Sequence, residues 1–149
     1  MIIAQQNEWM KLALEQAHMA ASQDEVPVGA IIIQNKSVIT SAFNQMKTRN
    51  DPTAHAELLA IQQAVQKLKT PYLTDCELYV TLEPCPMCAG AIALSRLRRV
   101  YFGAYDPKGG AVDHGSHVFN HTLHRPEVYG GVNEEQSNML LKKFFLQKR

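Results

Sequence analysis

The sequence predicts an α/β protein whose mixed sheet combines an antiparallel hairpin with a parallel β-α-β unit. Two runs rich in β-branched residues, 26–33 and 37–43, are separated by a short polar turn and therefore predict the hairpin. A strand-like run at 78–82, a helix that begins near Cys85 and another strand-like run at 100–104 predict the β-α-β unit. Strands joined in this way run parallel, with a right-handed connection.

The remaining elements add helices and a last strand to this sheet. Apolar residues at helical spacing predict a first helix that Asn7 caps and that ends near Ser22. Residues 127–131 predict a short fifth strand after a loop whose length is uncommon unless it is functional or mobile. Asn133 and Gln136 resemble a capping box at the start of a last helix. The apolar face of that helix contains Leu140, Leu141, Phe144 and Phe145.

The composition fits a single domain spanning residues 1–149, with 46% of the residues in the hydrophobic class. The net charge of +1 excludes a global field for nucleic acid, so any polyanion would have to bind to local patches. No run approaches the ~20 apolar residues of a membrane span, and the N-terminus lacks the basic region of a signal peptide. Because the three cysteines also offer no disulfide framework, a cytoplasmic protein is expected.

Two cysteines at metal-ligand spacing follow the predicted third strand. Cys85 and Cys88 are three residues apart, so in the first turn of a helix opened by Pro86 both sulfurs face the same way. The positive end of the helix dipole favours their thiolate forms, and a zinc ion is the ligand most consistent with such a pair. A dithiol redox motif or two buried small side chains would show the same local pattern.

A second group of polar residues begins the preceding amphipathic helix. His55 and Glu57 are two residues apart, about 200° around a helix, so they cannot share a side face. They can share a target beyond the helix N-terminus, and a metal docked there would meet both. The alternative is a hydrogen-bonded histidine of no special function and a first-turn carboxylate that the helix dipole favours.

The two groups together, His-x-Glu followed by Pro-Cys-x-x-Cys, resemble the signature of the zinc-dependent nucleobase deaminases. His55, Cys85 and Cys88 would give three protein ligands, one fewer than a structural zinc site normally takes. The open position would hold a water molecule whose pKa zinc lowers from about 15.7 toward roughly 7. Glu57 is not needed as a ligand and could shuttle the proton of that water.

Beyond this signature, the chain resembles the tRNA adenosine deaminases over nearly its whole length. The resemblance implies a three-layer α/β/α cytidine-deaminase-like fold with a five-stranded mixed sheet, a homodimer and one catalytic zinc per subunit. The implied reaction converts the wobble adenosine of a tRNA anticodon to inosine. The matching segments are residues 25–30, 44, 51–57, 78–92, 102–104, 106 and 144–145.

The resemblance also implies residue roles in the chemistry. Zinc would be held by His55, Cys85 and Cys88, with Glu57 as the proton shuttle. The activated water would attack C6 of adenine while Glu57 protonates N1 of the ring and then helps ammonia to leave. The anticodon nucleotides would have to be splayed out for the base to enter, as in single-stranded RNA recognition.

Four residues are candidates for contact with the RNA. The resemblance implies that Asn44 and the backbone amide of Ala56 hold the base, and that Asp106 meets nucleotides of the anticodon loop. Judged from the sequence alone, Asn44 is favoured as a turn residue over a pocket residue. Phe145 lies among basic residues and could contact RNA, or it could belong to a solvated helix end with core phenylalanines.

Other side chains could close the metal site as a fourth ligand. Nine extended residues would place Cys76 about 30 Å from Cys85, so a buried small side chain is the favoured interpretation. The histidines in residues 113–126 could fold over the pocket as a ligand or a lid, or lie at the surface. Residues 113–131 also depart from the commonest pattern of the family, which leaves the substrate rim undefined. The histidines are His114, His117, His121 and His124.

Three functions are therefore compatible with the sequence. The first is a tRNA adenosine deaminase. The second is a zinc deaminase of a free base or nucleoside, such as guanine or cytosine, with a smaller closed pocket. The third is a non-enzymatic zinc module, which would require neither Glu57 nor an open coordination position.

Overall fold

The computed structural model describes residues 2–148. This part of the chain forms four α-helices and five β-strands. In chain order they are α1 (Ile2–Ser22), β1 (Gly29–Gln34), β2 (Ser37–Phe43), α2 (Ala56–Leu68), β3 (Cys76–Leu82), α3 (Pro86–Leu94), β4 (Arg99–Ala104), β5 (Glu127–Tyr129) and α4 (Glu134–Gln147). A 3-10 turn, Val118–Asn120, lies in the long loop between β4 and β5. None of the helices described is long and apolar enough to cross a membrane.

The five strands form one mixed sheet in the order β2-β1-β3-β4-β5. β1 is antiparallel to both β2 and β3, whereas β3, β4 and β5 run parallel to one another. The predicted hairpin and the predicted parallel β-α-β unit are thus confirmed. Because β3 and β4 are parallel, their carboxyl ends lie at the same edge of the sheet. The polar residues that follow these ends therefore come close together.

Helices cover both faces of the sheet and form the three-layer α/β/α arrangement that the family resemblance implies. Successive residues of β1 point to opposite faces: Ile32 belongs to the core with α2 and α3, and Ile31 to the core with α1. α4 packs on the same face as α1, where Ser137 lies so close to Gly103 of β4 that a Cβ there would clash. Because both faces are covered, the central strands are buried almost throughout.

Cys76, the first residue of β3, is completely buried in the core between the sheet and α2. Burial raises the pKa of its thiol, so the group stays protonated at neutral pH. This confirms the interpretation of Cys76 as a small buried side chain.

Two of the predicted helix caps are wrong. α1 begins at Ile2, so Asn7 lies inside the helix, because the preceding residues include no Gly or Pro that would stop it. Asn133 does precede α4, but its backbone is left-handed (φ 54°, ψ 39°) and its side chain makes no capping bond. Its Nδ2 instead donates to the backbone oxygen of Asn7 at 3.3 Å. A contact between distant elements has replaced the local cap.

Candidate active site

Two helix N-termini bring the predicted metal ligands together at the carboxyl edge of the parallel strands. His55 immediately precedes α2 and Cys85 immediately precedes α3, and both have extended backbone conformations. Pro86 opens α3, where its fixed φ suits the first helical position. Cys88 follows in the first turn and is fully buried. Its side chain therefore points back toward the N-terminus of α3, as helical side chains do.

The three ligand atoms have the spacing that a tetrahedral zinc ion requires. The Sγ atoms of Cys85 and Cys88 are each 3.6 Å from Nδ1 of His55, and all three atoms lie within 4.8 Å of one another. Zn–S bonds of ~2.3 Å and Zn–N bonds of ~2.0 Å at tetrahedral angles separate sulfur from nitrogen by roughly 3.5 Å. Both the donor types and their distances therefore fit zinc.

The histidine-rich segment does not supply a fourth ligand. Across residues 2–148, the group of side chains able to hold a metal consists of His55, Cys85 and Cys88. Three of the four histidines make other contacts. His114 lies 2.8 Å from the Glu83 carboxylate, His117 lies 3.0 Å from the Val112 carbonyl and His124 lies 2.7 Å from the Leu97 carbonyl. The contacts of His114 and His124 hold the loop between β4 and β5 against other parts of the chain, whereas the His117 contact lies within this loop.

The surroundings of the two cysteines give their thiols pKa values shifted in opposite directions. A hydrogen bond from the Cys88 thiol lowers the pKa of Cys85 to about 4, although burial opposes this. The same contact, together with burial, raises the pKa of Cys88 above its usual range. The Cys85 thiolate in turn raises the pKa of His55. A divalent cation would favour the deprotonated form of both thiols, so that both sulfurs could bind it as thiolates.

Glu57 lies in the first turn of α2, beside the three ligands but outside their group, and is 4% exposed. Burial is the main cause that raises the pKa of its carboxyl to about 7, and the charge at Cys85 acts in the same direction. A carboxyl group that titrates near neutral pH can both accept and release a proton. Its position and its pKa therefore suit Glu57 to acid-base chemistry.

A cavity of about 210 Å³ opens beside the ligands and Glu57. It is smaller than the ~300–1,000 Å³ of pockets for drug-sized ligands, so it suits a single ring system. Three of the four predicted substrate contacts, Asn44, Ala56 and Asp106, line this cavity, and Phe145 does not. The wall is completed by Val26, Val28, Met46, Leu82, Glu83 and Gly109.

Asn44 is both a turn residue and a pocket residue. Its Oδ1 accepts a hydrogen bond from the backbone N–H of Met46 at 3.3 Å, which forms a local Asx turn after β2. Its Nδ2 donates to the backbone oxygen of Val26 at 3.2 Å. These two bonds fix the amide at the wall of the cavity, where the side chain is 6% exposed.

The other two predicted contacts, Asp106 and Phe145, lie on different elements of the fold. Asp106 follows β4, and its Oδ1 accepts hydrogen bonds from the backbone N–H groups of Lys108 and Gly109 at 3.2 and 3.0 Å. Phe145 lies on α4, is 52% exposed and packs edge-to-face against Phe144. Its exposure excludes the interpretation of Phe145 as a core residue.

A larger cavity of about 500 Å³ lies near the other end of the parallel strands. Stacked tyrosines Tyr79, Tyr101 and Tyr129 line it. Arg99 at its wall is already paired with Glu77 and Glu127. Neither the metal ligands nor Glu57 lie there, so the smaller cavity is the candidate active site.

Two carboxylates with no predicted role are buried near the pocket. Glu25 and Glu83 are 1% and 2% exposed. The signal that could have identified them is an acidic residue directly beside a strongly apolar stretch. An ionised carboxylate is buried only where donors surround it, so such a residue predicts a cluster of hydrogen bonds. The apolar wall residues, such as Met46, had no comparable signal.

Comparison with known proteins gives a consistent result. The sequence profile of the MafB19-like deaminases matches residues 4–149. The tRNA-specific adenosine deaminase of Agrobacterium fabrum is 45% identical over 149 residues, which cover 99% of this chain and 98% of that protein. This similarity spans nearly the whole chain.

Two solved structures add to this comparison. One, from work on A-to-I editing by tRNA:A34 deaminases at the wobble position of transfer RNA, has 46% sequence identity and a TM-score of 0.88, covering 90% of this chain and 99% of that one. The other, a guanine deaminase from Bacillus subtilis, has 39% identity and a TM-score of 0.63, covering 66% of this chain and 63% of that one.

Proposed function

Because the chain belongs to the MafB19-like deaminase family and is related to tRNA-specific adenosine deaminases, we propose that it converts adenosine 34, at the wobble position of a transfer RNA, to inosine. The observation that carries this proposal is the group of His55, Cys85 and Cys88 with Glu57 beside it, in a pocket sized for one base. The reaction is a hydrolysis in which water replaces the amino group at C6 of adenine.

Zinc is the proposed cofactor, with one ion per subunit. Nδ1 of His55 and the Sγ atoms of Cys85 and Cys88 would hold it, because their spacing matches tetrahedral zinc geometry. When bound, zinc lowers the pKa of a water molecule and so supplies a nucleophile at neutral pH.

Glu57 would move the protons of the reaction. Its carboxylate takes a proton from the attacking water and delivers it to N1 of adenine as oxygen adds to C6. It then takes the second proton of the added water from the hydroxyl group at C6 and passes it to the amino group, which leaves as ammonia while C6 becomes the carbonyl of inosine. Water and adenosine are consumed, inosine and ammonia are released, and Glu57 returns to its starting state. A pKa of about 7 suits both the uptake and the release.

The base would be oriented by groups near the N-terminus of α2. Ala56 is the first residue of α2, so its backbone N–H has no partner within the helix and can donate to the base. Asn44 retains one Nδ2 hydrogen that is not used by Val26. Asp106 and Phe145 would meet neighbouring nucleotides of the splayed anticodon loop, the first by hydrogen bonding and the second by stacking.

Guanine deamination is the second candidate, because one similar structure is a guanine deaminase. The tRNA reaction is preferred because the tRNA-specific adenosine deaminase of Agrobacterium fabrum is 45% identical over 99% of this chain. The structure from the work on tRNA:A34 deaminases is also more similar in sequence than the guanine deaminase, with 46% against 39% identity. A purely structural metal site is disfavoured. It would give no reason for burying the Glu57 carboxyl beside the ligands without using it as one.

A transcript assay decides between the two substrates. We expect the zinc-loaded protein to produce inosine at position 34 of an adenosine-34 tRNA transcript, read as an A-to-G change after reverse transcription. A matched transcript with guanosine at position 34 should give no change, and guanine should release no ammonia. The absence of inosine together with ammonia release from guanine would reverse the assignment.

We further propose a homodimer that covers the outer face of α3. Residues of this face follow the spacing i, i+3, i+4, i+7, and none is polar. They are Met87, Gly90, Ala91 and Leu94. Leu94 is 81% exposed, and a Cβ at Gly90 would meet no atom within 4 Å, so within residues 2–148 nothing packs over this part of the apolar face. A second copy of the helix could approach closely because the central residues are small.

Substituting this face should convert the dimer to a monomer. We expect Leu94→Glu to elute as a monomer by size-exclusion chromatography with light scattering, because it would bury a charge in the interface. Leu123→Glu is the matched control, since Leu123 is fully exposed on a loop outside this face and its substitution should leave the dimer intact. A monomeric unsubstituted protein, or a dimeric Leu94→Glu variant, would refute the proposed interface.

The proposed function also implies where the protein works in the cell, and the fold supports a single domain. An enzyme of transfer RNA would work in the cytoplasm. We treat residues 1–149 as one domain, because all five strands join a single sheet and the active-site residues come from its loops and helices.

A further inference from the structure

Two separate loops contribute to the wall of the active-site pocket, and each is bound to a buried carboxylate. The loop after β2, residues 44–50, contributes Asn44 and Met46. The loop after β4, residues 105–114, contributes Asp106 and Gly109. The width and shape of the pocket therefore depend on what holds these two loops in place.

Glu25 holds the first loop. It accepts hydrogen bonds at Oε1 from the backbone N–H of Lys47 at 3.1 Å, and at Oε2 from both the backbone N–H and the hydroxyl of Thr48 at 2.6 Å. Burial raises the pKa of Glu25, but these hydrogen bonds outweigh it and lower the pKa below its usual value. The buried group is therefore an ionised carboxylate, whose hydrogen bonds are stronger than those of a neutral acceptor.

Glu83 holds the second loop. Its Oε1 accepts a hydrogen bond from the backbone N–H of Asp106 at 3.0 Å and lies 2.8 Å from Nδ1 of His114. Its Oε2 accepts hydrogen bonds from the backbone N–H groups of Val112, Asp113 and His114 at 3.1, 2.9 and 3.1 Å. One side chain thus gathers donors from both ends of the loop.

The backbone of this second loop passes directly against the carboxylate. A Cβ added at Gly110 would lie 2.5 Å from Cδ of Glu83, so no side chain fits between them. Without the carboxylate, several backbone donors would be buried with no partner, which costs more than a lost surface contact. The loop would then move, and Asp106 would move with it.

We propose that Glu25 and Glu83 are positioning residues, which hold the two loops so that the pocket admits the splayed base, and which take no part in proton transfer. The inference rests on the proposed function, since it concerns the same pocket. Neither carboxylate belongs to the metal-binding group, and both are saturated by donors from the loops. Their effect is therefore expected on substrate binding more than on the chemical step.

Glutamine variants test whether these carboxylates affect substrate binding and not the chemical step. In Glu25→Gln and in Glu83→Gln, the shape is kept but one acceptor oxygen becomes an NH₂ group that faces N–H donors. We expect each to raise the KM for an adenosine-34 anticodon stem-loop roughly tenfold, while kcat changes less than about threefold, because the loops shift and the ligands and Glu57 do not. Zinc content should remain that of the unsubstituted protein.

Glu77→Gln is the matched control. Glu77 is also largely buried, with its side chain 17% exposed, and it pairs with Arg98 and Arg99 at the far end of β3. This variant should lose stability without a change in KM. A second pair of variants tests the role of Glu25 by changing Thr48, whose hydroxyl donates to it. Thr48→Val removes this donor and should raise KM. Thr48→Ser keeps the donor and should leave KM at the value of the unsubstituted protein.

Hydrogen exchange gives a readout that needs no substrate. Glu25→Gln should speed amide exchange in residues 44–50, and Glu83→Gln in residues 105–114, with little change elsewhere. An unchanged KM in both glutamine variants, an equal rise in Glu77→Gln, or exchange that speeds uniformly would overturn the inference. If the unsubstituted protein made no inosine, the proposed function would fail, and the exchange pattern would still decide whether the carboxylates hold the loops.

Discussion

Glu57→Ala is expected to lower the rate of inosine formation by about 10⁴-fold while leaving zinc bound. General acid-base catalysis contributes roughly 10²–10⁴-fold, and the upper end applies here because Glu57 would serve two proton transfers. Metal should be retained because the group that can hold it consists of His55, Cys85 and Cys88. Single-turnover kinetics with an adenosine-34 transcript and elemental analysis of the same sample make the two measurements.

Glu57→Gln supplies the control for this variant. Glu57 is 4% exposed, and glutamine keeps the volume of its side chain, so this variant leaves no cavity. A loss of activity that both variants share is therefore due to the missing acid-base group. Loss of zinc in either variant would contradict the assignment of Glu57 as a shuttle outside the ligand set. So would activity close to that of the unsubstituted protein.

Cys88→Ala is expected to lose both the metal and part of the stability of the fold. Cys88 is fully buried on α3 and its sulfur lies 3.6 Å from Nδ1 of His55, so a metal there joins α3 to the N-terminus of α2. When free zinc exceeds its dissociation constant about a thousandfold, bound metal adds about 4 kcal/mol to the free energy of unfolding. Elemental analysis and denaturant unfolding with and without a chelator measure both losses.

Cys76→Ala is the matched control for Cys88→Ala. Cys76 is equally buried but lies in the core between the sheet and α2, away from the metal-binding group. Its variant should lose some packing energy and keep stoichiometric zinc. The chelator should then destabilise Cys76→Ala but not Cys88→Ala. Stoichiometric zinc in Cys88→Ala would show that the proposed ligand set is wrong.

The candidate metal site of His55, Cys85 and Cys88 could be anticipated from the sequence because its determinants act over a few residues. Pro86 begins a helix, so the spacing of Cys85 and Cys88 directs both sulfurs to its N-terminal end. His55 likewise precedes a helix whose start is visible in the apolar period of α2. What spacing could not show was that these two helix starts meet, since that depends on the order of the strands between them.

The helix cap at Asn133 and the wall of the pocket could not be predicted from local spacing. Asn133 had the local pattern of a cap, yet its side chain bonds to Asn7, 126 residues away, because the packing of α4 on α1 offers that partner. Glu83 had no recognised pattern, although it accepts hydrogen bonds from a loop about thirty residues later. Neither partner is visible from sequence spacing.

By itself, the sequence determined the order and type of the helices and strands and indicated the residue types of the candidate metal site, because periodicity and helix starts are local properties of the chain. Only the tertiary structure decided which loops wall the pocket, where Asn133 and the histidines find their partners, and that Glu25 and Glu83 are buried. Those outcomes depend on donors and acceptors that are brought together by the packing of the sheet and its helices.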